Sequence, residues 1–202
     1  MKKILMTLCA VLISTVSFAQ MRSGGFHLGE GSTYYGIRLG FNNSYIGGDD
    51  DLDARTGLNL GAVLGVKCSP SIPLFLESGL YYAAKGGKKG GVKTRLDYLE
   101  IPVLMKYGID IPSADGLAIL PYIGPTFGIG VSGKIKSSVS SEDSFGDGKY
   151  NRFDVGIKLG CGVEYNMVYA ELGYQWGITN ISDVDGNDAF NRSFFMNLGI
   201  NF

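Results

Sequence analysis

The sequence is poor in the residues from which most hydrolytic sites and most disulfide-stapled folds are built. It holds one histidine, His27, one tryptophan and three cysteines in 202 residues. Cys9 lies in an amino-terminal apolar segment, so cleavage of that segment leaves only Cys68 and Cys161, too few for the disulfide framework of a small secreted domain. Chemistry that leans on a histidine base has no residue to use in the patterned part of the chain, because His27 precedes it. Neither sign of charge dominates: 18 basic residues face 19 acidic ones, a balance that argues against a nucleic-acid partner. After residue 19 no stretch of comparable length repeats apolar residues at i, i+3 and i+4, so amphipathic helices are not expected.

The first segment has the order of an export signal. Lys2 and Lys3 precede an apolar run from Ile4 to Ile13, and Ser17-Phe18-Ala19 stands before Gln20. The run is broken by Ser14, Thr15 and Ser17, short of the ~20 apolar residues of a spanning helix. We therefore expect a signal peptide at 1–19, removed on export. Leu8 before Cys9 does not suit a lipoprotein signal, so no lipid anchor is expected. Removal of Lys2 and Lys3 leaves 16 bases against 19 acids, a mature charge of −3. Residues 20–32, rich in Gly and Ser, are expected to form a mobile periplasmic lead-in.

What the chain has in quantity is alternation. From Tyr98 to Ile111 the sequence reads Y-L-E-I-P-V-L-M-K-Y-G-I-D-I, with Leu99, Ile101, Val103, Met105, Tyr107 and Ile109 on one parity and Glu100, Lys106 and Gly108 on the other. That is the period of a strand, whose successive side chains leave opposite faces. Seven more segments behave alike, from Tyr35, Ile37, Leu39 and Phe41 in the first to Phe194, Met196, Leu198, Ile200 and Phe202 in the last. Each is near the ~9–11 residues that a tilted membrane strand requires.

Glycine decides between a barrel and a sandwich. Of the 31 glycines, those inside the segments, such as Gly36, Gly61, Gly65, Gly128, Gly160 and Gly173, share the parity of the charged residues. In a sandwich that face would meet water, where so many glycines would only weaken the strands. In a narrow barrel it is the crowded lumen, where small residues leave room for large paired ones. Connections alternate long and short, at Asn43–Arg55, Cys68–Pro73, Lys85–Arg95, Asp110–Asp115, Gly133–Tyr150, Tyr165–Met167 and Asn180–Arg192. Outer-membrane barrels have this pattern, with both termini periplasmic when the strand count is even. The expected fold is all-β: an eight-stranded antiparallel up-and-down transmembrane β-barrel over residues 33–202.

The stretch from Tyr98 to Tyr107, with the preceding Y-Y-A-A-K-G and the terminal Gly199-Ile200-Asn201-Phe202, resembles the PorT-like outer-membrane β-barrel domain family of Bacteroidota. The resemblance spans nearly all of the mature chain. It implies a porin-like small barrel in a Gram-negative outer membrane and supplies no catalytic residues.

Several groups could carry chemistry. Arg38, Lys67, Glu77, Glu100, Lys106, Lys158, Glu164 and Glu171 fall on the inner parity and are expected to pair as a lumen charge network, since buried charges must be paired. Lys88, Lys89, Lys93 and Arg95, in the Gly-rich stretch Gly86–Arg95, are candidates for contact with the phosphates of lipopolysaccharide. A flexible basic hairpin loop is the plainer reading of that stretch. Gly128-Ile-Gly130-Val-Ser-Gly133 matches a dinucleotide fingerprint but is followed by a polar loop where a helix would be needed. Asp49–Asp53 and Asp183–Asp188 could offer oxygens to calcium, but the second lacks the glutamate that closes an EF-hand. No cofactor, metal or catalytic residue is therefore assigned.

Cys68 and Cys161, on opposite walls, are expected to remain thiols. Pro102 and Pro125 should interrupt pairing between neighbouring strands. A charge at Val103, on the lipid side, is expected to disturb folding more than neutralising Glu100. The functional expectation is a non-enzymatic scaffold or surface interaction protein with a filled polar lumen, in contact with outer-membrane lipid and with a protein partner at its external loops. The alternatives are a small porin or gated channel and, less favoured, a lipid-acting enzyme.

Overall fold

Alternation at period two over ten or more residues commits a segment to a strand, and a strand apolar on one face only must find both an apolar medium and two neighbours. A computed structural model describes residues 33–48, 52–114, 116–136, 141–145, 150–184 and 186–202. The signal peptide and lead-in expected at 1–32 lie outside the described residues. The strands are β1 (Thr33–Gly48), β2 (Asp53–Lys67), β3 (Leu74–Lys89), β4 (Val92–Tyr107), β5 (Ile109–Asp110), β6 (Leu117–Lys136), β7 (Ser141–Asp143), β8 (Phe153–Tyr165), β9 (Val168–Gly177) and β10 (Ala189–Asn201). The eight long ones pair antiparallel in the order β4-β3-β2-β1-β10-β9-β8-β6, and β4 pairs β6 to close the ring. Two-residue β5 and three-residue β7 are additions to the flanks of β6.

Outward positions follow the expected parity. Ile37, Leu39, Leu60, Leu80, Ile101, Met105, Ile123, Ile129, Leu159, Leu172, Leu198 and Ile200 are all exposed, an apolar belt that would be prohibitive in water. Inward positions are buried and mostly polar or aromatic. Three clusters of buried apolar groups mark the height of the lumen. Tyr34, Phe75, Ala118, Leu120 and Tyr169 lie at the end of the short turns; Leu104, Tyr122 and Phe195 form a second cluster; Ile46, Leu96, Tyr98, Phe145, Ile181 and Ala189 lie at the loop end.

The strands overrun their expected limits at the loop end. In place of a loop over Lys85–Arg95, β3 continues to Lys89 and β4 begins at Val92. The connection is only Gly90-Gly91, with φ of 55° and 83°. Positive φ at both central residues is the requirement of a tight hairpin turn whose twist matches its strands, and glycine meets it without strain. The glycine run thus marks a turn where flexibility was the plainer reading. Likewise β1 extends to Gly48 and β2 starts at Asp53, because the alternation continues above the apolar belt with polar outward residues.

Pairing is interrupted on both sides of β4, at Pro102 toward β3 and at Pro125 toward β6. Between β3 and β4 the rungs lapse from Ser78↔Val103 to Tyr81↔Glu100, and between β4 and β6 from Pro102↔Thr126 to Met105↔Ile123. The register is the same on either side of each gap, so rungs are missing without a slip. The Ser78 hydroxyl donates to the Pro102 carbonyl at 2.8 Å and ties the gap together. A true bulge occurs elsewhere, where Asp97 pairs Ser132 but Tyr98 pairs Gly130. The extra residue, Val131, leaves Val131 and Ser132 both exposed and turns Lys134 and Lys136 to the outer surface.

Candidate functional site

The lumen is built by register. Residues directly opposite one another in an antiparallel pair share a face, so the inward parity of each strand delivers its groups into one column. Tyr34 pairs Gly65, Tyr81 pairs Gly61, Tyr122 pairs Gly160 and Phe195 pairs Gly173. In each pair the ring lies over the glycine, so that a methyl added there would enter the ring. Tyr169 covers Gly162 in the same way. The rings fill the barrel and the glycines let them lie flat against its wall.

Between the rings sit two carboxylate-centred clusters. Glu77 accepts from Lys106 at 2.9 Å and from the Tyr34 hydroxyl at 2.7 Å, with the Arg38 guanidinium 3.5 Å away. Arg38 also stacks on the Tyr169 ring at 3.9 Å. In the second cluster Glu100 bridges Lys85 and Lys158, the latter at 2.9 Å, and Lys85 reaches Asp154 at 3.7 Å. Lys158 lies near the rings of Tyr81 and Phe195, a cationic head held among π faces. Amides complete the set: Asn197 donates to Glu171 at 2.7 Å, Asn201 to Glu164 at 2.7 Å, Asn191 to Asp154 at 2.9 Å and Gln175 to Glu100 at 3.3 Å. Lys106 also donates to the Tyr169 hydroxyl at 2.8 Å, which donates to Glu171 at 3.1 Å.

Of the eight residues expected in the lumen, seven are buried there: Arg38, Glu77, Glu100, Lys106, Lys158, Glu164 and Glu171. Lys67 is half-buried at the end of β2, opposite Phe75, and belongs to the rim. Glu164 and Glu171 take amide and hydroxyl donors where ion pairs were expected. Sequence reasoning missed Lys85, assigned to a loop although its parity matches Tyr81 and Glu77, and it left Asp154 and the three asparagines of β10 out of the network. Their signal was the same alternation, with Asn191, Asn197 and Asn201 on the parity of Phe195.

The loop end of the lumen is shut by a segment that no strand pattern announces. Ser144 donates its amide to the Gly133 carbonyl and its hydroxyl to the Arg95 carbonyl at 2.9 Å. Phe145 then drops into the mouth, over Gly130 and edge-on to Tyr98 at 5.7 Å between ring centroids. The Arg152 guanidinium lies 5.1 Å from the centre of the Phe145 ring. Deeper in the barrel there is a cavity of about 10 Å³, room for one water, bounded by Tyr81, Tyr122, Lys158 and Glu171.

The basic residues nearest the Gly90-Gly91 turn are outside the lumen. Lys88, Lys89 and Lys93 are exposed, and Arg95 donates to both oxygens of Asp97 at 2.8–2.9 Å and to the Tyr82 hydroxyl at 3.2 Å. The loop between β9 and β10 is organised by Asn180. Its carbonyl oxygen accepts the amides of Ser182 and Ala189 at 2.9 Å, and its amide donates to Asp188 at 2.7 Å. Among the described residues no three His, Cys, Asp or Glu side chains gather as a metal site, and Asp49–Asp51 and Asp185 lie outside them. Gly128 and Gly130 of the dinucleotide-like motif lie within β6 and open no helix.

A family model described as outer membrane protein beta-barrel domain matches residues 18–183. The chain belongs to that family. It is an outer-membrane barrel protein, and the apolar belt is the surface that such a location needs. Among solved structures, the chain is similar to the attachment invasion locus protein Ail of Yersinia pestis, at 16% identity over 85% of this chain and 100% of that one, with a TM-score of 0.49. Neisserial surface protein A is similar at 13% identity, 85% and 98% coverage and a TM-score of 0.47. The amino-terminal β-barrel domain of Pseudomonas aeruginosa OprF is similar at 10% identity, 84% and 97% coverage and a TM-score of 0.44. No curated protein sequence matches the chain.

Proposed function

We propose that this outer-membrane barrel is a non-conducting scaffold or surface interaction protein, exported with removal of residues 1–19, with residues 20–32 as its periplasmic lead-in. The observation that carries the reading is the filled lumen. Five carboxylates, Glu77, Glu100, Asp154, Glu164 and Glu171, are interleaved with Arg38, Lys85, Lys106 and Lys158, and rings occupy the space between them. Eight strands enclose a space only just wide enough for side chains, and Phe145 stops its loop end as well. The same pairing supports a non-enzymatic role, because each glutamate is committed to a lumen cation, amide or hydroxyl. The motif from Tyr98 to Tyr107 and the terminal Gly199–Phe202 support placement among PorT-like barrels of Bacteroidota. Partners then meet the protein from outside, through lipid at the belt and through a protein at the external loops.

The test is single-channel recording of the purified protein in a planar bilayer at neutral pH. No steady ohmic conductance is expected from the parent protein. Stable channels in the parent, abolished by enlarging Gly128, would replace this reading with the small-porin alternative.

A further inference from the structure

The outer surface of the barrel carries one arrangement that works against its own stability. Lys88 pairs Lys93 across β3 and β4, and Lys93 pairs Lys136 across β4 and β6, so three ammonium groups stand in a single rung. On the next rung of the same face, nearer the belt, Arg95 pairs Lys134. Directly opposed residues lie ~4.5–5.5 Å apart at Cβ, and like charges so placed are destabilising. All five are exposed. The Gly90-Gly91 turn fixes the alignment of Lys88 with Lys93, and the bulge at Val131 turns Lys134 and Lys136 to the outer face beside them. Both devices bring like charges together, where a one-residue change in either would have spread them.

The acids nearby sit at the margins of the patch. Asp97 is taken by Arg95, Asp53 stands opposite Lys88 at one edge, and Asp143 stands opposite Lys134 at the other, with Glu142 next to it opposite Ile135, so that no acid is paired across a rung with Lys93 or Lys136. Lys93 and Lys136 occupy the middle. The height of the patch is set by the strand. At a rise of ~3.4 Å per residue and a tilt of ~45°, the belt from Ile109 to Leu99 climbs ~24 Å, and Arg95 and Lys93 stand ~10 and ~14 Å above Leu99. A belt of that size matches the ~25 Å apolar band of an outer-membrane barrel, so Arg95 and Lys134 stand just above a headgroup layer of ~5–8 Å and the lysine rung above them, with long side chains that can reach back down the wall toward it. Arg95 bridges the two zones, because its Tyr82 partner belongs to the outer aromatic rim. At similar height on the far wall the rung is Tyr45, Arg192 and Trp176, with one cation between two rings.

We propose that Lys88, Lys93 and Lys136, with Lys134 and Arg95 beneath them, form a binding face for a lipid whose headgroup carries more than one phosphate, taken from the outer leaflet beside β3, β4 and β6. The headgroup lies across the lysine rung and its acyl chains run down the belt over Leu99 and Ile129. The proposal rests on the outer-membrane location and is independent of whether the lumen conducts, so the conductance result and the lipid result fail separately.

The protein, folded in zwitterionic detergent, is titrated with bis-phosphorylated lipid A, with its dephosphorylated form, with inorganic phosphate and with a sulfated polysaccharide. The comparison variants are Lys88→Gln/Lys93→Gln/Lys136→Gln, Lys93→Gln alone, and Arg192→Gln on the far wall. Folding of each is checked by the mobility difference between unheated and heated samples on gels. Bis-phosphorylated lipid is expected to bind the parent most tightly, with affinity falling about fivefold for each lysine neutralised and with rising salt. Arg192→Gln should bind as the parent does. Should the triple variant fail to fold, the fivefold loss in Lys93→Gln decides. Unchanged affinity in the folded lysine variants, equal loss in Arg192→Gln, or binding of the phosphate-free lipid, free phosphate or the soluble polysaccharide as tight as that of the phosphorylated lipid would each overturn the proposal.

Discussion

The two faces of the barrel wall obey different rules, although they are made from alternate residues of the same strands. Outside, neighbours such as Leu39, Leu60, Tyr82 and Leu99 need only be apolar, because lipid adapts its shape to them. Inside, Arg38, Gly61, Tyr81 and Glu100 occupy a column where each group fits only its neighbours: the ring needs the glycine and the carboxylate needs two lysines. The outer face is specified by class of residue and the inner face by individual residue. Substitutions should therefore be judged by the face on which they fall.

The sharpest way to test that contrast is to remove a shared counter-charge. Glu100→Gln leaves Lys85 and Lys158 together in the lumen without their carboxylate, and loss of one side of a buried pair costs about 3–5 kcal/mol. Urea unfolding in detergent or vesicles should register this loss. Replacing the set by Lys85→Met, Glu100→Leu and Lys158→Met should recover most of the stability, whereas additive losses would show that the cluster is not a unit. Val103→Arg, on the lipid face of the same strand, should cost about 2–4 kcal/mol near the bilayer centre and less as the site moves toward either interface. The two effects are thus comparable in size. The sequence alone favoured a much larger effect at Val103, because it offered Glu100 no second lysine.

Smaller effects sharpen the comparison further. Gly173→Val pushes into the Phe195 ring and should cost about 1–3 kcal/mol in the same unfolding assay. Leu39→Ile, in lipid, should change stability by less than about 0.5 kcal/mol. If the lipid-face exchange were as costly as the glycine substitution, the outer face would be as specific as the inner. Cys68 is exposed and Cys161 half-buried, both as free thiols. Cys68→Ser should leave unfolding unchanged, and alkylation of the denatured, unreduced protein should label both. No label at all would mean that the two had joined.

The fold was legible because one parity rule governs the whole chain. Eight strands, their lumen and lipid faces, and the turn-end connections could be read from the alternation of residues such as Leu99, Glu100 and Ile101. What stayed hidden lies where that rule stops carrying information. Lys85 is followed by glycines that suit a loop as well as a turn, so its ion pair with Glu100 depends on how far β3 continues. The outward turn of Lys134 and Lys136 depends on one extra residue at Val131, which alternation alone cannot position. Phe145 seals the mouth from a segment with no periodicity at all. Partner choice was hidden for a related reason: composition places Arg38 and Glu77 on one face, but only three-dimensional register puts them in contact.

The seam between β1 and β10 sets the order of events during assembly. Tyr35 and Phe202 exchange backbone hydrogen bonds at 2.9 Å in both directions, and rungs run from Gly36↔Asn201 to Gly48↔Ala189. The other rungs of the ring form mainly between strands close in sequence, whereas this ladder joins residues at opposite ends of the barrel sequence. Such a ladder bears the greatest entropy of loop closure, and little is returned until much of the wall is in place. The curved sheet must therefore wait, with two unsatisfied margins facing lipid, until the last strand arrives. Those margins are the costliest surface the protein exposes at any stage, and the interval before they meet is when it is most open to wrong pairing with another chain.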